Sequence, residues 1–194
     1  GTAPFPAPKQ QNYKGKPLGP LDVENGRLPE AILQKVPGLG SHKFLVDVVA
    51  DLTKLTAAFK ARFGKDIILT DAYRTYDVQV KTKIEKGTLA ATPGTSNHGW
   101  GLAFDFNTND EAYISGNNGG TVVADDIVVA VGVGTSKASS FDSLVYKWLF
   151  ANAPKYNFYN PSWAQPGGSN PEAWHFESTK INTYYGKVEQ TDGD

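Results

Sequence analysis

Apolar residues recur at three- and four-residue steps from about position 43. Phe44, Leu45, Val48, Val49, Leu52, Leu55, Phe59 and Phe63 fall on one face of a helical repeat, which predicts an amphipathic helix over 43–63 with Gly64 as its stop. The run DIILT at 66–70 is short, apolar and partly β-branched, and reads as a strand. A second helix is expected over 77–85, ending at Gly87, and GLAFDFNT at 101–108 is the next strand candidate. Residues 121–134 are β-rich, either part of the core sheet or an inserted hairpin. Phe141, Leu144, Val145, Trp148 and Leu149 predict a helix over 139–152 with Pro154 beyond its end, and 172–178 is a last short strand. Residues 1–40 are rich in Pro, Gly and Lys and show little periodicity, so they read as an extended arm. The predicted organisation is therefore an arm over 1–40, one domain over 41–186 and a frayed tail over 187–194. Helices and short strands joined by tight turns predict an α+β fold with a mainly antiparallel sheet.

A length of 194 residues suits one domain with an appendage, and 40% hydrophobic residues can build its core. A net charge of −1 does not point to nucleic acid or to an anionic membrane surface. There is no apolar run of transmembrane length, so membrane insertion is not expected. The chain has no cysteine, which excludes disulfides, thiolate metal sites and thiol nucleophiles without fixing a compartment. It also has no methionine, even at position 1, so it reads as a processed, trimmed or excised chain whose signal peptide or upstream segment is absent.

The chemistry concentrates in a few stretches. Asp105 sits inside the apolar run Leu102-Ala103-Phe104-Asp105-Phe106, where an unpartnered carboxylate would be costly. His98, Asp105 and His175 are two imidazoles and a carboxylate, and three such ligands plus a water are the pattern of a catalytic zinc. The odd separation of His98 and Asp105 would put them on opposite faces of one regular strand. Both reach one metal only if His98 precedes the strand or the chain bends, which Gly99 and Gly101 allow. Glu172, just upstream of His175, is the candidate general base of a zinc peptidase. Arg74, just after a predicted strand, could hold a substrate carboxylate or polarise a carbonyl. Plainer readings stand beside these: a His–Asp hydrogen bond that stiffens a loop, a core histidine, a solvated glutamate, and a salt bridge from Arg74 to Asp71 or Asp77.

Ser96-Asn97-His98-Gly99-Trp100-Gly101-Leu102-Ala103-Phe104-Asp105 matches the S-x-H-x-x-G-x-A-x-D motif of the VanY/VanX-type D-Ala-D-Ala zinc peptidases, and Glu172-Ala173-Trp174-His175 matches their E-x-W-H. Tyr73-Arg74-Thr75 followed by Gln79 is similar to their upstream Y-R-[S/T]…Q stretch. The matches run in family order over roughly 66–178. The family also includes phage endolysins that cut L-Ala-D-Glu bonds. The resemblance implies one zinc per chain held by His98, Asp105 and His175, with Glu172 as base and Arg74 as electrostatic stabiliser. It implies that Ser96 supports the site by hydrogen bonding, that Trp174 packs beneath it, and that Tyr73 and Gln79 belong to its surroundings. It further implies a Hedgehog-like fold, a small antiparallel sheet flanked by helices with the cleft across it. The substrate class implied is the peptidoglycan stem peptide, cut by a carboxypeptidase or an endopeptidase acting outside the cell, in the periplasm or from a phage particle, and a monomer is expected. The arm and residues 117–140 match no family feature. The competing class is a zinc-stabilised wall-binding module without catalysis, for which a base at Glu172 would have no use.

Overall fold

A computed structural model describes residues 10–12, 22–113, 121–124, 127–130 and 140–185. In chain order its strands are β1 (Gln10–Asn12), β2 (Asp22–Glu24), β3 (Leu33–Lys35), β4 (Lys43–Leu45), β5 (Leu69–Asp71), β6 (Ala103–Phe106), β7 (Thr121–Ala124), β8 (Ile127–Ala130), β9 (Phe158–Tyr159) and β10 (His175–Ser178). The α-helices are α1 (Val49–Phe63), α2 (Tyr76–Lys86), α3 (Leu144–Asn152) and α4 (Lys180–Tyr185). A four-stranded antiparallel sheet in the order β5-β6-β10-β9 forms the centre, and three two-stranded pairs, β1-β2, β3-β4 and β7-β8, lie outside it. The fold is thus α+β with a mainly antiparallel sheet. β7 and β8 pair with each other, and among the described residues neither joins the central sheet. Residues 117–120, 131–139 and the expected tail over 187–194 lie outside the described residues.

The helices follow the apolar period. α1 buries Leu52, Leu55, Thr56 and Phe59 on one face, and it ends at Gly64, whose left-handed φ of 77° lets its N–H reach the Lys60 carbonyl at 2.8 Å. Its start differs from the expected 43. Lys43–Leu45 is drawn into a strand because it pairs with Leu33–Lys35, and because the Leu45 N–H finds the Gly101 carbonyl at 2.9 Å. Backbone partners from distant segments outweigh a weak local preference for helix there. Thr75 caps α2 by accepting from the Val78 N–H, and Ser143 caps α3 by accepting from the Tyr146 N–H.

Of the arm expected over 1–40, residues 10–12 and 22–40 are described. Val23, Leu28, Leu33, Val36 and Leu39 are buried in the same apolar core as α1 and the sheet. Their spacing carries no single period because the segment runs as short strands and turns, so its burial was invisible to a periodicity argument.

Asp110 is buried, and its carboxylate accepts hydrogen bonds from the N–H groups of Leu144 and Val145 at 2.9 and 3.1 Å. A negative charge there meets both the unpaired amides and the positive end of the α3 dipole. Asp110→Ala is expected to lower unfolding stability by about 1–3 kcal/mol, the worth of charge-assisted bonds left unmade. A urea titration checks this.

Candidate metal and catalytic site

The carboxylate inside the apolar run is explained by the alternation of a strand. In β6, Phe104 and Phe106 face the core, where Phe104 stacks on Phe176 with ring centroids 5.8 Å apart. Ala103 and Asp105 point to the other face. β10 is in register with it, His175 opposite Asp105, Phe176 opposite Phe104 and Glu177 opposite Ala103. β5 places Asp71 opposite Asp105 on the other side. One face of the sheet therefore carries Asp71, Asp105 and His175 side by side, while the opposite face of the same strands is aromatic core.

His98 enters from the turn before β6. The segment Asn97–Trp100 is a 3-10 helix whose N-cap, Ser96, accepts from the His98 N–H at 3.2 Å. It ends at Gly101 with φ of 68°, where a Cβ would stand 2.8 Å from the Leu45 nitrogen, so only glycine serves. His98 thus precedes the strand and the chain bends, which resolves the odd separation. His98 Nδ1 lies 2.8 Å from the Ala72 carbonyl, which can only accept. That contact puts the proton on Nδ1 and leaves the Nε2 lone pair on the side of Asp105, whose Oδ1 is 3.2 Å away. His175 is fixed from its other nitrogen: Nε2 lies 2.9 Å from Glu177 Oε1, and Nδ1 lies 2.9 Å from Asp105 Oδ1. Glu177 also accepts from Asn97 Nδ2 at 2.8 Å.

His98, Asp105 and His175 are all buried, and one ligand atom from each lies within 4.8 Å of the others. Two imidazoles whose outer nitrogens are already committed, facing one carboxylate oxygen, are the donor set that zinc prefers. The residues therefore fit a zinc ion.

Arg74 is buried beside this group. Its Nη2 lies 4.0 Å from Asp105 Oδ2, its Nε and Nη2 both bond to Asp71 Oδ2, and its Nη1 donates to Gln79 Oε1 at 2.7 Å. Gln79 in turn donates to the Ala91 carbonyl at 2.8 Å. The salt bridge to Asp71 and the position near the metal-fitting group are thus both present. Tyr73 holds the same turn from behind, its hydroxyl accepting from the Leu28 N–H at 3.0 Å. Burial raises the Tyr73 phenol above its ordinary pKa, so it remains protonated there.

Glu172 is buried, not a solvated surface group, and its Oε1 accepts from Asn170 Nδ2 at 3.3 Å. Asn160 clamps the segment that carries it, donating to the Glu172 carbonyl at 3.1 Å and to the His175 carbonyl at 2.9 Å. Asn160 Oδ1 accepts from Tyr146, whose hydroxyl is pushed by burial up to about 12 and so stays a donor. Trp163 packs its ring against His175 with centroids 5.0 Å apart. Trp174, half-buried, lines a cleft of about 420 Å³ together with Thr70, Asp71, Arg74, Lys86, Asp105 and residues 106–109.

Asn160 and Asn97 carried no signal in the sequence, because loop residues obey no period. Glu177 was visible as the residue two positions past His175, hence on its strand face.

The model of the VanY family, D-alanyl-D-alanine carboxypeptidase, matches residues 41–179. No curated protein sequence matches the chain. Among solved structures, the chain is similar to a point variant of the vancomycin-resistance D,D-pentapeptidase VanY from a VanB-type cassette in complex with Zn(II), at 23% identity and a TM-score of 0.50, over 81% of this chain and 84% of that one. It is similar to VanYB in complex with D-alanine-D-alanine, also at 23% identity and 0.50, over 90% of each chain. It is also similar to the LdcB LD-carboxypeptidase at 18% identity and a TM-score of 0.51, over 86% of this chain and 77% of that one. At these identities the likeness to the solved structures is one of fold.

Proposed function

The chain belongs to the VanY family of D-alanyl-D-alanine carboxypeptidases, and from that premise we propose that it is a zinc-dependent peptidase of peptidoglycan stem peptides that removes a carboxy-terminal D-alanine. The observation that carries the reading is the convergence of His98, Asp105 and His175 on one buried point, with Asp105 and Arg74 in the wall of the cleft. Zinc held by these three residues would supply Lewis acidity, making a water acidic enough to ionise near neutral pH and polarising a carbonyl. The chain's own groups do the rest. A carboxylate oxygen of Glu172 accepts the proton of the attacking water and passes it to the departing amine. Arg74, fixed by Asp71 and Gln79, sets a positive charge in the cleft wall that stabilises a developing negative charge on a substrate oxygen. Ser96 holds His98 in place, Trp174 forms the floor on which the peptide lies, and Tyr73 braces the Arg74 turn.

Two cations, Arg74 and Lys86, line the same cleft beside two carboxylates, Asp71 and Asp105, whose charge a bound zinc ion would offset. A peptide that ends in a free carboxylate is favoured there over an internal segment, which supports the carboxypeptidase over the endopeptidase. Such a substrate places the site of action outside the cytoplasmic membrane. The domain that does this work is proposed to begin near β2, not at 41. Purified peptidoglycan incubated with the protein should lose D-alanine from its stem termini, with the loss stopped by a chelator and restored by zinc, as read by mass spectrometry. New amino termini inside the stem would instead identify an endopeptidase. Wall binding with no bond cleaved would identify a binding module.

A further inference from the structure

The turn after β2 lies upstream of the family match, yet it touches both halves of the site. Asn25 is buried, and its Nδ2 donates to the Ser96 carbonyl at 2.7 Å. Its Oδ1 lies over Gly99 so closely that a Cβ at that glycine would stand 2.0 Å away. The next residue extends the contact: the Gly26 N–H donates to the Gly99 carbonyl at 2.9 Å. Asn25 and Gly26 therefore grip both sides of His98, at Ser96 and at Gly99. On its other side Gly26 accepts from the Tyr76 N–H at 2.9 Å, two residues past Arg74. Gly26 has φ of 80°, and a Cβ there would be 2.6 Å from the Tyr76 nitrogen, so the approach requires glycine. The Arg74 turn closes the triangle by donating its own N–H to the His98 carbonyl at 3.1 Å.

We propose that Asn25 and Gly26 are positioning residues of the metal site, a clip that sets where the His98 loop stands relative to the Arg74 turn. The inference rests on the zinc reading of His98. The physical ground is that both segments are loops, and a loop fixes a ligand only as well as its backbone is held. The hydrogen bonds from Asn25 and Gly26 reach the His98 loop from outside the matched region, and they reach both of its flanks. Buried amide donors spent on two carbonyls and a glycine contact leave little freedom to shift without breaking one of them. Supporting contacts of this kind are worth about 10- to 100-fold in metal affinity.

The test is a zinc titration of the full chain against a competing chelator, on the unmodified protein, Asn25→Ala and Val36→Ala. Val36 is a buried core residue of the same N-terminal segment. Both variants are expected to melt earlier. Only Asn25→Ala should weaken zinc binding, by about 10- to 100-fold, and at saturating zinc it should lower kcat with KM nearly unchanged. Equal zinc affinity for the two variants would overturn the inference, since Asn25 would then be ordinary core. Should Asn25→Ala fail to fold, Asn25→Ser keeps a polar side chain too short to reach the Ser96 carbonyl, and it must show the same loss. An unmodified protein that binds no zinc overturns the zinc reading and the inference with it, a result seen before any variant is made.

Discussion

Glu172→Gln is expected to retain fold, zinc and peptide binding while turnover falls by about 10²–10⁴-fold, the usual worth of a general acid–base group. Gln keeps the size of the side chain and its ability to accept from Asn170, which donates to Glu172 Oε1 at 3.3 Å. What it lacks is a carboxylate able to take the proton of the attacking water and return it to the leaving amine. The measurement is kcat on a stem-peptide substrate together with metal analysis of the variant. Turnover near that of the unmodified protein, with zinc intact, would move the base elsewhere. Glu177 is the other buried glutamate on hand, but its Oε1 is already engaged by His175 Nε2 and Asn97 Nδ2. Glu177→Gln would therefore act first on the orientation of His175 and on metal affinity, and the two substitutions separate the roles.

Removing two ligands should have the other large effect. A His98→Ala, His175→Ala double variant is expected to lose stoichiometric zinc and, with it, all measurable hydrolysis. Three protein ligands hold a catalytic zinc, and Asp105 alone gives no comparable site. Removal of the ion by a chelator should also destabilise the unmodified protein. Asp105 and Glu177 are buried against His175, and Arg74 pairs with Asp71 and lies 4.0 Å from Asp105. Without a divalent ion the excess negative charge is poorly compensated. Thermal melts with and without chelator should show the drop, and the double variant should show none. Zinc still stoichiometric in that variant would refute the ligand set.

Much of this site was legible because strands and helices impose arithmetic. The odd separation of His98 from Asp105, read with Gly99 and Gly101, required a bend before a strand, and the 3-10 turn Asn97–Trp100 ending at Gly101 supplies it. The apolar faces of α1 and α3 were equally readable, since Leu52, Leu55 and Phe59, and Val145 and Leu149, are spaced by the helical repeat. The start of α1 was not, because Phe44 and Leu45 belong to a helical pattern and are claimed by a strand partner at Leu33 and Gln34. The role of residues 22–40 was hidden for a related reason. Val23, Leu28 and Val36 are buried along short strands and turns, too brief to leave a period in the sequence. Arg74 had two readings, ion pair or site residue. They turn out not to compete, because one guanidinium reaches Asp71 and lies near Asp105 at once.

The pairing of β6 with β10 has a consequence for how the protein reaches its active form. Phe104 and Phe176 pack on one side of these strands, Asp105 and His175 on the other. Sliding one strand past the other by a single residue would turn His175 and Glu177 inward among the aromatic rings and bring Phe176 out into the cleft. Such a misaligned chain forfeits its hydrophobic burial and strands ionisable groups at the same stroke, so it has no partly rewarded state in which to linger. Recovery of hydrolysis and recovery of native aromatic packing should therefore rise together during refolding, without a stable species that has one and lacks the other.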